Sequence, residues 1–335
     1  MSTPRGRLAA ALFLLAMPSP VVAQTFEGVG TRAAGMGGAF VAVADDASAT
    51  YWNPAGLALG RIFTAVFDRN VTDVRPDSLE DSSRHQTGSL LTLAMPALGF
   101  AHYQLRTTSV TPAGTILLGG PQGETPVRMV RLAKLTTYHT GLTLVQSLVQ
   151  GVAIGTTLKI VHGDAAASLV PEGNRGQRLD EAADLQTEGS NKFDADIGVM
   201  AGGGRLKLGF TVRNLTEPSF TITGTSDSLR LQRQARLGVA VNVAEGWAVA
   251  SDFDLTTNGQ PEAPVRSFAT GTEGRLTSKI FVRSGFRLST TGKARPSVSG
   301  GGSYAVLSSL LIDGQATWGA ENADRGWGLS ARVVY

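Results

Sequence analysis

Residues 28–60 read GVGTRAAGMGGAFVAVADDASATYWNPAGLALG. The stretch is rich in glycine and alanine, and it lacks the period of two that marks a half-buried strand. It also contains a polar turn signal at Asn53-Pro54. Small residues are suited to close packing, so we expect residues 28–60 to be enclosed by the rest of the chain.

The chain that follows alternates between apolar and polar side chains, most clearly in its second half. Within residues 205–213, one face of a strand would carry Leu206, Leu208, Phe210 and Val212, and the other would carry Arg205, Lys207, Gly209, Thr211 and Arg213. The same division recurs in residues 191–201, 229–243 and 247–256. The pattern predicts a sheet with one apolar face and one polar face.

Alternation and turn signals together predict fourteen strands. A β-sandwich would also alternate, but its loops need not follow any order of length. Here short connections follow every second strand, and the long polar connections include residues 73–86, 110–126, 164–190 and 217–228. The predicted strands are 61–72, 87–96, 97–109, 127–146, 150–163, 191–202, 204–216, 229–243, 246–257, 264–276, 278–289, 295–307, 309–320 and 325–335.

Short turns on one side and long loops on the other are typical of outer-membrane β-barrels, whose short turns are periplasmic. We therefore predict an all-β fold in which residues 61–335 form a transmembrane antiparallel β-barrel of about fourteen strands. An even strand count returns the C-terminus to the periplasmic side, where the N-terminal stretch would also enter.

The first residues have the three parts of a secretory signal peptide. Arg5 and Arg7 precede an apolar run over residues 8–16, and residues 21–23 (VVA) form a cleavage box. The run is too short for a membrane helix, which needs about 20 apolar residues. We predict a signal peptide over residues 1–23, and hence export to the outer membrane of a Gram-negative type of cell.

The last predicted strand ends the chain on an aromatic residue. Trp327, Leu329, Ala331, Val333 and Tyr335 share one face. A terminal strand of this kind resembles the signal read by the outer-membrane assembly machinery, which we expect to act on the strand ending at Tyr335. Trp247, Trp318, Trp327 and Tyr335 fit either aromatic girdles at the lipid boundaries or ordinary lipid-facing packing.

Three short motifs in the first stretch carry a resemblance to a known family. Residues 37–40 (GGAF), 44–47 (ADDA) and 53–57 (NPAGL) resemble the N-terminal plug of the FadL/TodX outer-membrane channels for fatty acids and hydrocarbons. They resemble still more closely the related PorV/PorQ-type barrel proteins, as does NLTEP at residues 214–218. The resemblance implies that residues 24–60 fold into the barrel lumen as a plug, or hatch.

The resemblance to FadL also implies a function. The expected activity is passive uptake of small hydrophobic molecules, such as fatty acids and hydrocarbons, across the outer membrane. An apolar pocket is expected near loops 73–86 and 110–126, with a side exit through the wall. The expected plug or gate residues are Gly37, Gly38, Phe40, Asp45, Asp46, Asn53, Pro54 and Ala55.

The role of the Asn53-Pro54 turn stays open between a structural pin and a moving gate. Proline moves Asn53 out of the helical region, and the asparagine amide can then cap or bridge neighbouring backbone. Met36 and Leu57, with Phe40, are candidates for lining the route. Arg213 or Arg236 could hold a substrate carboxylate in a bidentate contact.

Charges of both signs are assigned to the lumen, where a plugged barrel would pair most of them. Asp45 or Asp46 is expected to form a salt bridge with an arginine of the wall. The other lumen charges are Arg205, Lys207, Arg213, Arg230, Arg236, Arg275, Arg283 and Arg287, with Asp194, Asp196, Asp252, Asp254, Glu273 and Asp313.

A second function belongs to a different class. A PorV/PorQ-like barrel would not transport, and would serve as a scaffold or shuttle for secreted proteins. The modest size of the chain favours this alternative, as does the closer resemblance of its plug motifs to those of PorV/PorQ-type proteins. A stoichiometric protein partner would separate it from a channel, which would carry a bound hydrophobic small molecule.

Other classes of function are disfavoured. The glycines of residues 28–38 do not follow a buried strand or open a helix, as a nucleotide-binding loop requires. Asp45-Asp46 lacks the spaced oxygen ligands of a calcium loop, and the four histidines have no metal-binding spacing. There is no cysteine, and residues 1–23 hold two arginines and no acid, so their removal lowers the formal charge from +3 to +1. We predict no cofactor, no metal, no catalytic residue and no nucleic-acid partner.

Overall fold

The computed structural model describes residues 29–76, 78, 80–120, 123–259, 264–292, 294–320 and 324–335. The predicted signal peptide (1–23) and the first residues of the predicted plug (24–28) lie outside the described residues. Within the described ranges, no helix combines the length and the apolar character needed to cross a membrane.

Short helices precede a long series of strands. The helices are α1 (Thr31–Gly35), α2 (Ala49–Trp52), a 3₁₀-helix (Pro54–Leu59) and α3 (Arg175–Asp184). The strands are β1 (Thr64–Val74), β2 (Ser83–Met95), β3 (Leu98–Gly120), β4 (Gly123–Val149), β5 (Val152–Pro171), β6 (Glu188–Gly203), β7 (Leu206–Arg213), β8 (Ser219–Thr221), β9 (Ser228–Arg230), β10 (Gln234–Ala244), β11 (Trp247–Asp254), β12 (Asn258–Gly259), β13 (Pro264–Val265), β14 (Ser267–Arg275), β15 (Ile280–Ser289), β16 (Ser297–Leu307), β17 (Leu310–Gly319) and β18 (Arg325–Val334).

Fourteen of these strands form one closed barrel in the order β1-β18-β17-β16-β15-β14-β11-β10-β7-β6-β5-β4-β3-β2. The barrel closes where β1 pairs antiparallel with β18, from Thr64 opposite Val334 to Asp73 opposite Arg325. Closure gives every described barrel strand a partner on both sides, as a sheet in lipid requires. The predicted barrel of about fourteen antiparallel strands is confirmed.

The two ends of the barrel carry different connections. At one end the turns lie at residues 96–97, 150–151, 204–205, 245–246, 276–279 and 308–309, beside the start of β1 and the end of β18. We call this the short-turn end. The opposite, long-loop end carries α3 and two small hairpins, β8–β9 and β12–β13. The predicted alternation of short and long connections is confirmed except between β3 and β4.

The barrel wall is taller at β3, β4 and β5 than the sequence pattern indicated. Residues 110–126, predicted as a loop, lie largely in β3 and β4, which contain 23 and 27 residues. The predicted loop 164–190 holds the end of β5, α3 and the start of β6, and residues 217–228 hold β8 and the start of β9. Residues 229–233 precede β10, which begins at Gln234 rather than at residue 229.

Protein covers both faces of β4 between Val130 and Leu135. Leu179 and Ala182 of α3 pack against Val110, Val130 and Leu132. The neighbouring residues of β4 have side chains on the opposite face, where the β8–β9 hairpin covers them. That second cluster contains Ala133, Leu135, Val161, Ala165, Phe220, Ile222, Leu229 and Leu231.

In the remaining wall, apolar side chains lie on the outer face and polar side chains on the inner face, as the sequence predicts. Leu206 and Leu208 of β7 are 47% and 46% exposed on the outer face, whereas Thr211 and Arg213 are buried. Trp318 and Trp327 lie on the outside near the long-loop end, and Tyr335 lies at the short-turn end. An apolar outer face with aromatic side chains at both ends is suited to lipid.

Candidate functional site

Residues 29–60, which we call the N-terminal segment, are almost fully buried. Val29, Phe40, Trp52 and Ala55 are 0% exposed. Helix α1 contacts β1 and β15 to β18, whereas the 3₁₀-helix contacts β4, β5 and β6 on another side of the barrel. The barrel wall therefore surrounds and buries the segment.

Glycines on the inner face of the wall let the backbone of the segment lie directly against it. A Cβ atom on Gly155 would collide with the backbone of Pro54 and Ala55, and one on Gly271 would collide with Met36. Such close approach between two backbones is possible only where no side chain intervenes. The inner-face glycines that meet the segment are Gly99, Gly155, Gly198, Gly209, Gly238, Gly271 and Gly285.

Asn53 joins two parts of the segment to the wall. Its backbone is extended, and its Oδ1 accepts a hydrogen bond from the Ala55 N–H, which caps the 3₁₀-helix that begins at Pro54. Its Nδ2 donates to the carbonyls of Val41 (2.9 Å) and of Val199 in β6 (3.1 Å). Ala55 packs against Ala153 and Met200 of the wall. These contacts, most of them buried, attach this part of the predicted plug set to β5 and β6.

We expect Asn53→Ala to loosen this anchor. The substitution removes the cap and leaves buried backbone groups without a partner, which together cost about 2–3 kcal/mol. Trypsin cleavage after Arg32 should then accelerate roughly 30- to 150-fold, because cleavage requires the segment to leave its place. Asn242→Ala, at the short-turn end, should cleave like the wild type. Equal cleavage of both variants would contradict the anchoring role.

Two wall carboxylates hold the backbone of the segment at other points. Asp252 Oδ2 in β11 accepts hydrogen bonds from the N–H groups of Phe40 (2.8 Å) and Val41 (2.9 Å). Asp68 in β1 accepts from the N–H groups of Gly30 (3.1 Å) and Thr31 (2.6 Å). A buried backbone N–H group needs an acceptor, and each of these carboxyl groups supplies one to two such groups. Asp68 and Asp252 therefore fix the start and the middle of the segment.

The predicted plug glycines lie at a tight turn after α1. Gly37 and Gly38 have φ angles of 68° and 89°, which side chains other than glycine rarely tolerate. Gly37 lies against the backbone of Phe286, and the Gly38 carbonyl accepts a hydrogen bond from Arg236 Nη1 at 3.3 Å. The turn lets the chain cross from the β15 side of the barrel toward β10 and β11.

A series of five aromatic rings runs from the segment to the wall. Phe40 contacts Trp52 (5.7 Å between centroids), Trp52 contacts Tyr51 (5.8 Å), and Tyr51 contacts Tyr103 of β3 (5.1 Å). Tyr103 stacks on His139 of β4 at 4.2 Å. All five rings are buried.

The two arginines considered for substrate binding are already engaged. Arg236 Nε donates to Asp254 at 2.6 Å, and its guanidinium is 5.9 Å from the Trp52 ring centre. Arg213 lies 3.6 Å from the Tyr51 ring centre and donates to the Tyr103 hydroxyl. Both side chains are buried. They hold the aromatic series in place and do not offer a free carboxylate site.

Arg32 of α1 forms ion pairs with both acidic residues of the segment. Its Nη1 contacts Asp45 (2.5 Å) and Asp46 (3.0 Å), and its Nη2 contacts Glu273 of β14 (2.6 Å). Asp46 also meets Arg332 of the wall at 3.4 Å, as the sequence predicted, whereas Asp45 pairs within the segment. Burial alone would raise the pKa of Asp46, but Arg32, Arg332 and the Ser48 hydroxyl hold that pKa below its usual value. Asp46 therefore stays charged at neutral pH.

A cavity of about 1090 Å³ opens at the short-turn end, and we call it the vestibule. Met36, Val43 and Leu59 of the segment line it, together with the ion-paired Arg32 and Asp46. Leu57 is not among its lining residues and packs instead against Gly99 of β3. At the rim, cationic side chains have no acidic partner among the described residues; they are Arg61, Arg205, Lys207, Arg275 and Lys279.

Several residues that hold the segment have no distinctive pattern in the sequence. Asp68 and Arg332 were not singled out, because a single charge in an alternating strand resembles any lumen-facing residue. Arg32 was also missed, because its partner Glu273 lies 241 positions away in the sequence. The wall glycines were also missed, although each stands at an inner position of its strand where a polar side chain is usual. No group of three or more metal-ligating side chains occurs within the described ranges.

Comparison with solved structures identifies the fold. The CymD monoaromatic hydrocarbon channel superposes with a TM-score of 0.65 at 12% identity, over 93% of this chain and 99% of that one. The Pseudomonas putida toluene transporter TodX gives 0.63 at 12% identity, over 93% and 99%. A Pseudomonas aeruginosa FadL homologue gives 0.56 at 12% identity, over 94% and 100%. The chain has the fold of these channels.

The sequence comparisons are less extensive. A family model described as "F plasmid transfer operon, TraF, protein" matches residues 129–254, which run from β4 to β11. No curated protein matches the chain. The FadL/TodX resemblance read from residues 37–57 thus agrees with the fold, and the structural neighbours are transport channels.

Proposed function

We propose that the protein is an outer-membrane channel for the passive passage of small hydrophobic molecules, such as monoaromatic hydrocarbons or fatty acids. The observation that carries the proposal is a closed barrel with an apolar outer face that encloses its own N-terminal segment. The same architecture occurs in proteins named as hydrocarbon channels. Residues 24–60 would act as the plug that keeps the bore closed to ions.

The structure offers apolar surface at three levels along the barrel. At the long-loop end, the β8–β9 hairpin and the inner face of β4 and β5 form an apolar cluster around Leu135 and Phe220. Below it lie the aromatic rings from His139 to Phe40. At the short-turn end, Met36 lines the vestibule. Apolar solutes cross the polar surface of an outer leaflet poorly, so such a series would lower their barrier.

We place the exit in the vestibule rather than in the wall. In the described strands, irregularities of pairing lie at short-turn ends, at Ser147/Val149, Asn242/Ala244 and Ala305/Leu307, and in the tall part of β3, at Pro112/Thr115. Each pair of neighbouring strands keeps its ladder between those points. A side exit would require some of these hydrogen bonds to break.

Transport into liposomes tests the function. Vesicles that contain the purified protein should take up toluene or oleate faster than empty vesicles, because the channel replaces passage through the lipid surface. Vesicles with an unrelated closed barrel of similar size control for leakage at the protein boundary. Equal uptake by all three preparations would contradict the proposal.

Location in the outer membrane is part of the proposal. The C-terminal strand that ends at Tyr335 would be read by the assembly machinery, and the apolar outer face would contact lipid. Recovery of the full chain in outer-membrane fractions, extractable only by detergent, is the expected result. Recovery in the soluble fraction would exclude a channel.

One observation favours the alternative of a scaffold for secreted proteins. Ile116 and Leu117, near the tip of the tall β3–β4 hairpin, are 40% and 61% exposed well above the apolar belt. Exposed apolar side chains outside lipid are suited to a protein partner. A stoichiometric protein that copurifies with the wild type and is lost in Leu117→Asp would support the scaffold.

A further inference from the structure

Six charged side chains form a closed ring between the N-terminal segment and the wall. Arg32 contacts Asp46 (3.0 Å), which contacts Arg332 of β18 (3.4 Å), which contacts Asp313 of β17 (3.0 Å). The remaining contacts run from Asp313 to Arg283 of β15 (3.2 Å), from Arg283 to Glu273 of β14 (2.5 Å), and from Glu273 back to Arg32 (2.6 Å). Charges alternate around the ring, so every member has an opposite charge on both sides.

The ring faces the vestibule. Arg32, Asp46, Glu273, Arg283 and Arg332 are all among the lining residues of that cavity. The ring thus lies where the segment meets β14 to β18, with solvent space on its short-turn side. None of the six side chains is more than 19% exposed, so removal of one charge leaves its buried neighbours without a partner, which is strongly destabilising.

The opposite side of the segment is held differently. The 3₁₀-helix and Asn53 lie on β5 and β6, where Gly155 and Gly198 bring two backbones into contact. The hydrogen bonds there join buried neutral groups, and none of Asn53, Pro54 or Ala55 lines the vestibule. The α1 side has similar glycine contacts at Gly271 and Gly285, but it alone adds the ion ring, so only there can the loss of one charge release the segment.

We propose that the ion ring is a latch, and that α1 through Asp46 is the moving part of the plug while the 3₁₀-helix stays anchored on β5 and β6. Opening of the latch separates α1 from β14 to β18 and joins the lumen to the vestibule. The proposal rests on the proposed channel function, whose route it specifies. The sequence left open whether the Asn53-Pro54 turn is a structural pin or a moving gate. In this proposal the turn is the pin, and Arg32 with Asp46 forms the gate.

Ion conductance across planar bilayers tests the latch without any hydrophobic substrate. Glu273→Gln removes the charge that joins Arg32 to Arg283, so conductance in KCl should rise at least about tenfold. Glu245→Gln is the matched control, because Glu245 lines the same vestibule without an ion pair in the described part of the chain. A Glu273→Gln variant that conducts like Glu245→Gln would overturn the proposal.

A reversible crosslink identifies the moving part. The chain has no cysteine, and a Cβ atom on Gly35 of α1 would lie 3.6 Å from the Gln315 Cβ of β17, within disulfide range. In the Glu273→Gln background, oxidised Gly35→Cys/Gln315→Cys should lose the raised conductance, and reduction should restore it. Recovery on reduction also shows that the variant is folded.

The outcomes separate the latch from the channel function. Raised conductance that persists in the oxidised, crosslinked variant would overturn the latch, because α1 would then not be the moving part. Conductance that follows the crosslink, in a protein that takes up neither toluene nor oleate into liposomes, would keep the latch and exclude the proposed substrates.

Discussion

Gly198→Val should displace the N-terminal segment and leave the barrel open to ions. A Cβ atom on Gly198 would collide with the Asn53 side chain and with Pro54, both of which are buried. Overpacking of this kind costs about 1–3 kcal/mol, and this site has no flexible neighbour that can yield. The displaced state should therefore gain roughly 5- to 150-fold in population. Conductance in planar bilayers and trypsin cleavage after Arg32 should both rise.

Gly203→Val is the matched control for this prediction. Gly203 lies on the same strand, β6, and nothing lies within 4 Å of the position that its Cβ atom would take. Both glycines would acquire the same β-branched side chain, so only the contact with the segment differs. Closed, protease-resistant barrels from both variants would show that Gly198 does not support the segment.

Asp252→Ala should free the middle of the segment. The substitution removes the acceptor shared by the N–H groups of Phe40 and Val41, and it leaves both groups buried without a partner. The loss amounts to about 2–4 kcal/mol. Hydrogen exchange at these two amides should accelerate by roughly 30-fold to 1000-fold, because exchange follows the local opening equilibrium. Mass spectrometry of peptides that span residues 36–44 measures it.

The exchange measurement contains its own internal reference. Peptides from the 3₁₀-helix, which is held by Asn53 and by Gly155, should keep their protection in Asp252→Ala. Glu245→Ala, at the vestibule rim, should leave both regions protected. Uniform loss of protection over residues 29–60 would mean that the segment moves as one body, which contradicts an anchored half and a mobile half.

Strands were predictable wherever one face meets lipid and the other meets the lumen. In β7, four apolar side chains alternate with polar ones, and the structure puts each set on the expected face. The prediction failed at residues 110–126, where β3 and β4 extend as a hairpin beyond the apolar belt and most of the described side chains are exposed. A strand with both faces in solvent needs no alternation, so its sequence carries no period of two.

The sequence predicted where the candidate site lies, but it did not predict which residues contact one another there. Small residues around Asn53-Pro54 indicated a buried segment, and Asp45-Asp46 indicated ion pairs with arginine. The partners of these residues come from far along the chain, as with Arg332 and Asp46, which are 286 positions apart. The closure of the barrel decides such pairs, and no local pattern records them.

By itself, the sequence determined that this protein is a barrel of about fourteen strands with an enclosed N-terminal segment, because alternation, loop length and small-residue content are local properties. Only the tertiary structure decided how the segment is held. The ring from Arg32 to Arg332 and the glycine contacts at Gly155 and Gly198 join the segment to strands on different sides of the closed barrel. Closure of the barrel arranges distant strands around one lumen. Each contact in the lumen therefore depends on the positions of all the strands.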